Sequence, residues 1–408
     1  MPITVPVTKS EKSKRKHRLT ALSNVVLING KSAESSQSYL EQKLAERIDK
    51  EFPNPSKQEK VDIDAVKNHN LHFAKRMIKQ QKDGEYFIQV QENVREKDIH
   101  LFYKFNDKNL DLMEMLVMGD TLVRAGVDSI TLYLPYIPYQ RQDKKDEGRV
   151  PISAKLIFNL LVASMGNRLK RIVTFDLHAK QAQAHFDGPV DELSAIPEFA
   201  AYYRNKFKED LARDSSSVVV FSPDAGGAKR AEKLSELLQV QYHVLTKKRI
   251  DHGRAETKYD AYDTSVNVNG KRIIIIDDMI DSGSSLVGEY ENGKDGPVQY
   301  FQSLGAEVYC CATHHVLSEK DGIKAEERLR KSGVPFLFTD SIPEKYPGYY
   351  TSNKDYMSVL SLNYPLAKAV YCNAAGESIS QFLIDREKKL RADKLDLIDE
   401  GDGHINIE

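Results

Sequence analysis

Short apolar runs alternate with longer helix-like segments along most of the chain, and that alternation predicts an α/β fold on largely parallel strands. The runs read as strands are residues 24–28, 99–103, 129–134, 171–175, 217–221, 272–276 and 306–311. Several end in Asp, His, Ser or Pro, the polar switch expected where a buried strand gives way to a functional loop. After Asp107 the spacing becomes helical. Leu110, Met113, Met115, Leu116, Val117 and Leu122 predict one broad apolar face, with Asp107 capping the first turn and Gly126 stopping the helix.

Two segments break the alternation. Residues 52–81 and 289–298 are polar and read as insertions, and the charged stretch 204–214 is a candidate boundary between two α/β units. The tail after about Arg386 reads as helix or disorder. A net charge of −1 conceals a strongly basic run at 9–18 and an acidic one at 393–408. Solvated tails are the expectation for both, and no aromatic stacking residue interrupts the basic run, so no nucleic-acid partner is expected. At 40% hydrophobic and 29% charged, the 408 residues have a globular composition and length enough for two domains. No apolar run approaches the roughly 20 residues that span a bilayer, and no secretory h-region follows Met1, so no membrane partner is expected. Cys310, Cys311 and Cys372 make neither a disulfide framework nor a Cys-rich zinc site. The adjacent pair reads as small apolar packing, and the cytoplasm is the expected compartment.

The densest chemistry lies in residues 272–286, Arg-Ile-Ile-Ile-Ile-Asp-Asp-Met-Ile-Asp-Ser-Gly-Ser-Ser-Leu. An apolar strand delivers Asp277 and Asp278 to its carboxyl end, where open α/β sheets bind ligands. Asp281 and the small residues Ser282, Gly283, Ser284 and Ser285 follow, and their backbone N–H groups suit a phosphate at a helix start. The paired carboxylates suit ribose hydroxyls. Two vicinal acids alone serve as well as an acidic helix cap; the strand before them and the turn after them favour a ligand.

This segment resembles the phosphoribosyl-diphosphate-binding motif shared by type I phosphoribosyltransferases and ribose-phosphate pyrophosphokinases. Other segments separate the two families. Residues 136–155, Tyr-Ile-Pro-Tyr-Gln-Arg-Gln-Asp-Lys-Lys-Asp-Glu-Gly-Arg-Val-Pro-Ile-Ser-Ala-Lys, look like the ATP-handling loop of the pyrophosphokinases. Residues 174–179, Thr-Phe-Asp-Leu-His-Ala, look like their metal-binding histidine segment, and 222–230, Ser-Pro-Asp-Ala-Gly-Gly-Ala-Lys-Arg, like their diphosphate loop. Segments 90–95, 312–315 and 376–380 match as well. The resemblance runs with interruptions from about Val25 to Phe382, and the joint order of its motifs identifies the chain as a member of the ribose-phosphate pyrophosphokinase family.

The resemblance implies two phosphoribosyltransferase-like α/β domains, each a mainly parallel sheet flanked by helices. They are expected at 21–195, completed by about 363–385, and at 196–362, between a basic tail 1–20 and an acidic tail 386–408. It implies Mg²⁺-dependent transfer of the β,γ-diphosphate of ATP to the anomeric hydroxyl of a ribose 5-phosphate-type acceptor. The ATP-binding positions it implies are Asp83, Glu85, Arg141, Gln142, Asp146 and Arg149. Fork-shaped donors such as Arg141 and Arg149 suit phosphate oxygens. His178 and Asp224 fall at its metal positions, although Mg²⁺ prefers oxygen. Its sugar-phosphate positions are Asp224, Ala225, Gly226, Gly227, Asp277, Asp278, Asp281, Ser282, Gly283, Ser284 and Ser285. Lys247 and Arg249 fall at its catalytic cations, on a mobile loop that stabilises charge growing in the transition state. A homo-oligomer, dimer or hexamer, is implied too. No Walker A sequence is present, which excludes a P-loop kinase.

Two positions depart from the family pattern. Gln81 stands where a Phe usually precedes the Asp-Gly-Glu group, and the phosphate turn reads Gly283-Ser284-Ser285 rather than Gly-Gly-Thr, with the 289–298 insertion after it. They leave open a larger 5-phosphate ester such as ADP-ribose as acceptor, which would place the chain in NAD metabolism, and a catalytically silent homologue. Retention of His178, Asp224, Lys247, Arg249, Asp277 and Asp278 argues against the silent form.

Overall fold

The computed structural model describes residues 9–52, 57–67, 73–245, 266–289, 293, 295–392 and 404–405. The chain divides into two compact units, Met1–Leu193 with Asn363–Phe382, and Ser194–Leu362 with Leu383–Glu408. It opens with α1 (Lys9–Leu22), β1 (Val25–Asn29), α2 (Gln37–Glu51) and α3 (Lys57–Ala65). A hairpin of β2 (Arg76–Gln80) and β3 (Tyr86–Val90) leads to β4 (Asp98–Phe102), α4 (Leu110–Arg124) and β5 (Ser129–Leu134). Then come α5 (Ser153–Met165), β6 (Leu169–Phe175) and β7 (Val190–Leu193). The second unit begins with α6 (Ile196–Lys206), α7 (Lys208–Arg213), β8 (Val218–Ser222), α8 (Ala228–Leu238) and β9 (Gln241–Val244). It continues through β10 (Arg272–Ile280), α9 (Ser284–Val287), α10 (Pro297–Ser303), β11 (Glu307–His315) and α11 (Ala325–Lys331). Next are β12 (Phe336–Thr339), α12 (Tyr349–Ser352), β13 (Met357–Leu360), α13 (Asn363–Ala375), α14 (Ile379–Arg391) and β14 (His404–Ile405).

Each unit is a parallel sheet with helices, as the alternation predicts. The first sheet has the order β1-β4-β5-β6-β7, parallel throughout. The second runs β14-β13-β12-β11-β10-β8-β9 and is parallel except for the β13–β14 edge pair. Both faces of such a sheet are covered, so its strands are apolar runs without alternation. In β10 the burial is continuous from Ile273 to Ile276. Each such side chain contributes about 1.5–3 kcal/mol. Cys310 and Cys311 are fully buried on β11 and act there as small apolar residues.

Several expectations are corrected. The basic run 9–18 is not a tail: it forms most of α1, which buries Leu19 and Leu22 and lays Arg15 over the Phe52 ring at 5.3 Å. Arg18 pairs with Glu377 at 2.8 Å. The polar segment 52–81 holds α3 and β2; β2 lies largely exposed in the hairpin, so no face of it needs to be apolar. In α4 the buried face is Leu112, Met115, Met118 and Leu122, while Leu110 and Met113 are exposed. Asp107 does accept the N–H groups of Asn109 and Leu110 at 2.9 Å, a cap worth about 1 kcal/mol. Residues 204–214 lie inside the second unit, where the buried Arg204 donates to the Leu390 carbonyl. α14 carries regular structure to Arg391, and Arg386 and Glu387 pair with Glu198 and Lys233.

A buried polar chain joins α13 to the first sheet. The Asn373 side-chain amide donates to the Tyr133 hydroxyl at 3.1 Å, and that hydroxyl lies 2.9 Å from His100 Nδ1. The two rings stack at 5.4 Å. Burial drives the His100 pKa down to about 4, against a smaller opposing pull from Asp98. Above pH 6.5 His100 is neutral in both the folded and unfolded chain. Between 6.5 and about 4 the unfolded chain takes up a proton that the fold refuses, so stability falls as pH falls, by up to ~1.4 kcal/mol per unit. His100→Gln should therefore cost most at pH 8 and progressively less toward pH 5, read by urea unfolding; a cost independent of pH would contradict the buried neutral imidazole.

Candidate active site

In the second sheet the strand order reverses between β8 and β10, since β9 lies outside β8 while β11, β12 and β13 extend the other way. Open α/β sheets bind ligands at the carboxyl ends of their strands at such a reversal. Here the two central strands end at different heights. The β8–β10 ladder stops at Phe221 and Ile275, whereas β10 stays paired with β11 up to Ile280 and His315. The strand thus runs past the expected end at Ile276. Asp277 and Asp278 lie within it, on the step where β8 has already turned away.

Asp278 is 5% exposed and Asp277 half-buried. The Asp277 carboxylate accepts the backbone N–H of Asp278 at 2.8 Å. Arg230, in the first turn of α8, places Nη1 3.7 Å from Asp277 and 3.9 Å from Asp278. Burial, then the Asp278 charge, pushes the Asp277 carboxyl well above its ordinary range, with Arg230 pulling the other way. Two acids held this close favour a partner that donates hydrogen bonds to both, as vicinal hydroxyls do. Arg230 was absent from the sequence-predicted site, although it closes the Ser222–Arg230 motif.

The turn from β8 to α8 is tied at both ends. Ser222 Oγ donates to the Asp224 carbonyl at 2.6 Å, and Asp224 Oδ1 accepts the Gly227 N–H at 3.1 Å. A Cβ on Gly227 would lie 2.5 Å from Ser222 Oγ, so a side chain there would displace the serine hydroxyl that ties the turn. Asp224, Ala225 and Gly226 are exposed at its crest. Beyond β10, Ser282 Oγ and Ser284 Oγ lie 3.0 Å apart, and Asp281 accepts from Ser318. Ser285 is exposed and Gly283 buried. The second unit therefore gathers Asp224 to Gly227, Asp277, Asp278 and Asp281 to Ser285 around the carboxyl ends of β8 and β10.

The first unit gathers another set. Gln140 is 2% exposed and accepts the His178 N–H at 2.9 Å, and the Gln181 side chain donates to Asp143 at 2.9 Å. These bonds stitch residues 136–155 to 174–181. The Gln142 amide donates to Lys144 O at 3.2 Å and Asp146 at 3.3 Å. Arg141, Asp146, Arg149 and His178 are exposed. Tyr139, Arg149 and Asp176 adopt φ of 62°, 66° and 35°, the costly left-handed region that collects at functional loops. Asp83 and Glu85 sit in the exposed turn of the β2–β3 hairpin, where Asp83 accepts the Glu85 N–H at 3.1 Å. Lys247 and Arg249 lie outside the described residues. His178 belongs to the first unit and Asp224 to the second. Among the described residues no three His, Cys, Asp or Glu side chains cluster as a metal site, and no helix is long and apolar enough to cross a membrane.

Residues 33–166 match the family model for the N-terminal domain of ribose phosphate pyrophosphokinase, and 189–289 match the phosphoribosyl transferase domain. The ribose-phosphate pyrophosphokinase of Fusobacterium nucleatum is 38% identical over 317 residues, 76% of this chain and 90% of that protein. That of Maricaulis maris is 36% identical over 301 residues, 73% of this chain and 88% of the relative. The crystal structure of phosphoribosylpyrophosphate synthetase from Mycobacterium smegmatis superposes with a TM-score of 0.62 at 30% identity, covering 86% of this chain and 98% of that one.

Gly227→Ala should lower the thermal unfolding midpoint by forcing Ser222 off the Asp224 carbonyl, an overpacking cost of about 1–3 kcal/mol. Gly226→Ala, whose methyl would meet Asp224 Oδ1 at 3.2 Å, should cost less; equal midpoints for the two variants would refute the close approach.

Proposed function

The chain belongs to the ribose-phosphate pyrophosphokinase family of diphosphotransferases, and from that premise we propose that it transfers the β,γ-diphosphate of ATP to the anomeric 1-hydroxyl of ribose 5-phosphate. The products are phosphoribosyl pyrophosphate and AMP. The observation that carries this reading is the carboxylate pair Asp277–Asp278 on the step between β8 and β10, faced by Arg230 and flanked by the Ser222–Gly227 and Asp281–Ser285 turns.

The pair accepts hydrogen bonds from the ribose 2- and 3-hydroxyls and so fixes the sugar. The turn 281–285 takes its 5-phosphate, and the turn 224–227 takes the diphosphate. With the sugar held, its 1-hydroxyl oxygen bonds to the β-phosphorus while the bond from that phosphorus to the α-bridging oxygen breaks; AMP leaves and the hydroxyl proton passes to solvent. Such chemistry depends on positioning and charge neutralisation and needs no covalent intermediate. Lys247 and Arg249 supply cations to the charge that grows between donor and acceptor. Mg²⁺, when bound, would supply further charge neutralisation. The exposed Asp224 carboxylate, anchored by the Gly227 N–H, offers the hard oxygen that this ion prefers, with His178 at the family's second position. Arg141, Gln142, Asp146 and Arg149, with Asp83 and Glu85, bind ATP.

A second reading keeps the reaction and lengthens the acceptor to a 5-phosphate ester such as ADP-ribose; the departure of Ser284 from the family's phosphate turn is what raises it. AMP release from ATP and Mg²⁺ with each acceptor, and the product mass, separates the two, and no AMP with either would sink both. Asp278→Asn should raise KM for the acceptor at least tenfold with an unchanged circular-dichroism spectrum; unaltered kinetics would remove Asp278 from the sugar site. Lys247→Ala should lower kcat far more than it raises KM for ATP, and equal losses would make Lys247 a binding residue alone.

A further inference from the structure

Between β11 and α11 the chain makes a tight turn at residues 320–323. Lys320 and Ile323 exchange both backbone hydrogen bonds at 3.0 Å, with Asp321 at φ 55° and Gly322 at φ 77°. Positive φ at both central residues is the two-residue I′ turn, and an Asp-Gly pair adopts it at little cost. Lys320 is therefore carried on a preorganised turn. Its Nζ lies 3.4 Å from Ser284 Oγ in the phosphate turn and 2.5 Å from a carboxylate oxygen of Glu289, where the polar insertion begins.

The link is braced from beneath. Arg328 of α11 is 1% exposed, and its guanidinium donates to the Ser282 carbonyl at 3.0 Å and to the Lys320 carbonyl at 3.4 Å. One buried cation thus holds the backbone of both the phosphate turn and the Lys320 turn. Ser284, which carries a hydroxymethyl group where the family's glycine has a hydrogen, touches Ser282 on one side and Lys320 on the other.

We propose that Lys320 is a specificity-determining residue of the acceptor site: its ammonium moves from Glu289 to the acceptor's 5-phosphate and selects a terminal phosphomonoester. The inference rests on the reading of residues 281–285 as the 5-phosphate turn. A monoester carries close to two negative charges at neutral pH and three acceptor oxygens, whereas a phosphorus esterified on a second oxygen carries one charge and fewer acceptors. A mobile ammonium beside the turn rewards the first far more than the second. Glu289 keeps the cation paired when no acceptor is bound, and Arg328 acts through the turns as a positioning residue.

The test compares Lys320→Met, Lys320→Arg and Glu289→Gln. Lys320→Met should raise KM for ribose 5-phosphate at least tenfold, leave KM for ATP within twofold, and be largely rescued by Lys320→Arg. Glu289→Gln frees the ammonium and should lower KM for ribose 5-phosphate. If Glu289→Gln raises that KM as much as Lys320→Met does, the pair only staples the insertion and the proposal fails. Calorimetric titration of ribose 5-phosphate without ATP reads the same difference independently of turnover. Binding that Lys320→Met leaves unchanged overturns the role of Lys320, whereas a wild-type chain that binds ribose 5-phosphate but releases no AMP overturns the proposed reaction instead.

Discussion

The site depends on one mismatch: β10 outlasts β8. Five residues of β10 beyond Ile275 continue beside β11 after the ladder to β8 has ended. Had both strands ended together, Asp277 and Asp278 would fall in a solvated loop, where two carboxylates repel each other weakly and hold no fixed direction. Kept on the strand, they gain strand-like order and lose water. A buried carboxylate is costly unless something answers its charge, and Arg230 answers both from the first turn of α8. The turn that brings α8 into place must then be tight, which explains the Ser222–Asp224–Gly227 bonding and the absence of a side chain at Gly227.

That arrangement is under electrostatic tension, and the tension is useful. Arg230 lies beyond close hydrogen-bonding distance of either acid, while the charge of Asp278 and burial both work against ionisation of Asp277. A ligand with two adjacent hydroxyls relieves both acids without adding charge. The first unit shows the same economy in another form. Its loops at the ends of β5 and β6 carry three non-glycine residues at positive φ, and the Gln140–His178 bond ties the two loops together. Rigid scaffolds with strained loops are how folds fix groups for binding.

The sequence makes the sheets legible because parallel strands buried on both faces are apolar runs of the right length. All seven runs first read as strands are strands. What escapes the pattern is whatever is not doubly buried: the exposed hairpin strand β2, and the short strands β7, β12 and β13 of four residues each. Helix faces are harder still. α4 is apolar almost all round, so spacing alone does not reveal that Leu112 and Met118 are buried while Met113 is exposed. The basic run of α1 misleads because charge dominates its composition, although Leu19, Leu22 and the Arg15 guanidinium over the Phe52 ring supply its contacts. Residues 222–230 stand where β8 yields to a turn, whereas Asp277 and Asp278, expected just beyond an apolar strand, lie within one that continues to Ile280.

Lys320, Glu289 and Arg328 are invisible to that procedure for a different reason. They come from separate segments, and no local pattern marks a lysine in a polar turn as the neighbour of the turn at 281–285. Ser284, read alone, is an obstruction where a backbone approaches its ligand. Within the fold it is one member of a chain of contacts from Ser282 through Ser284 to Lys320 and Glu289, fastened below by Arg328. Without its hydroxyl, the ammonium would lose its contact with the phosphate turn and keep the one to Glu289. Without Glu289, an extra cation would stand by the turn with no counter-charge. The two contacts thus act together on one ammonium. The departures at Ser284 and in the segment that opens with Glu289 are in this sense one device, distributed over the sequence because the turn at 281–285 is met by the turn that follows the neighbouring strand β11.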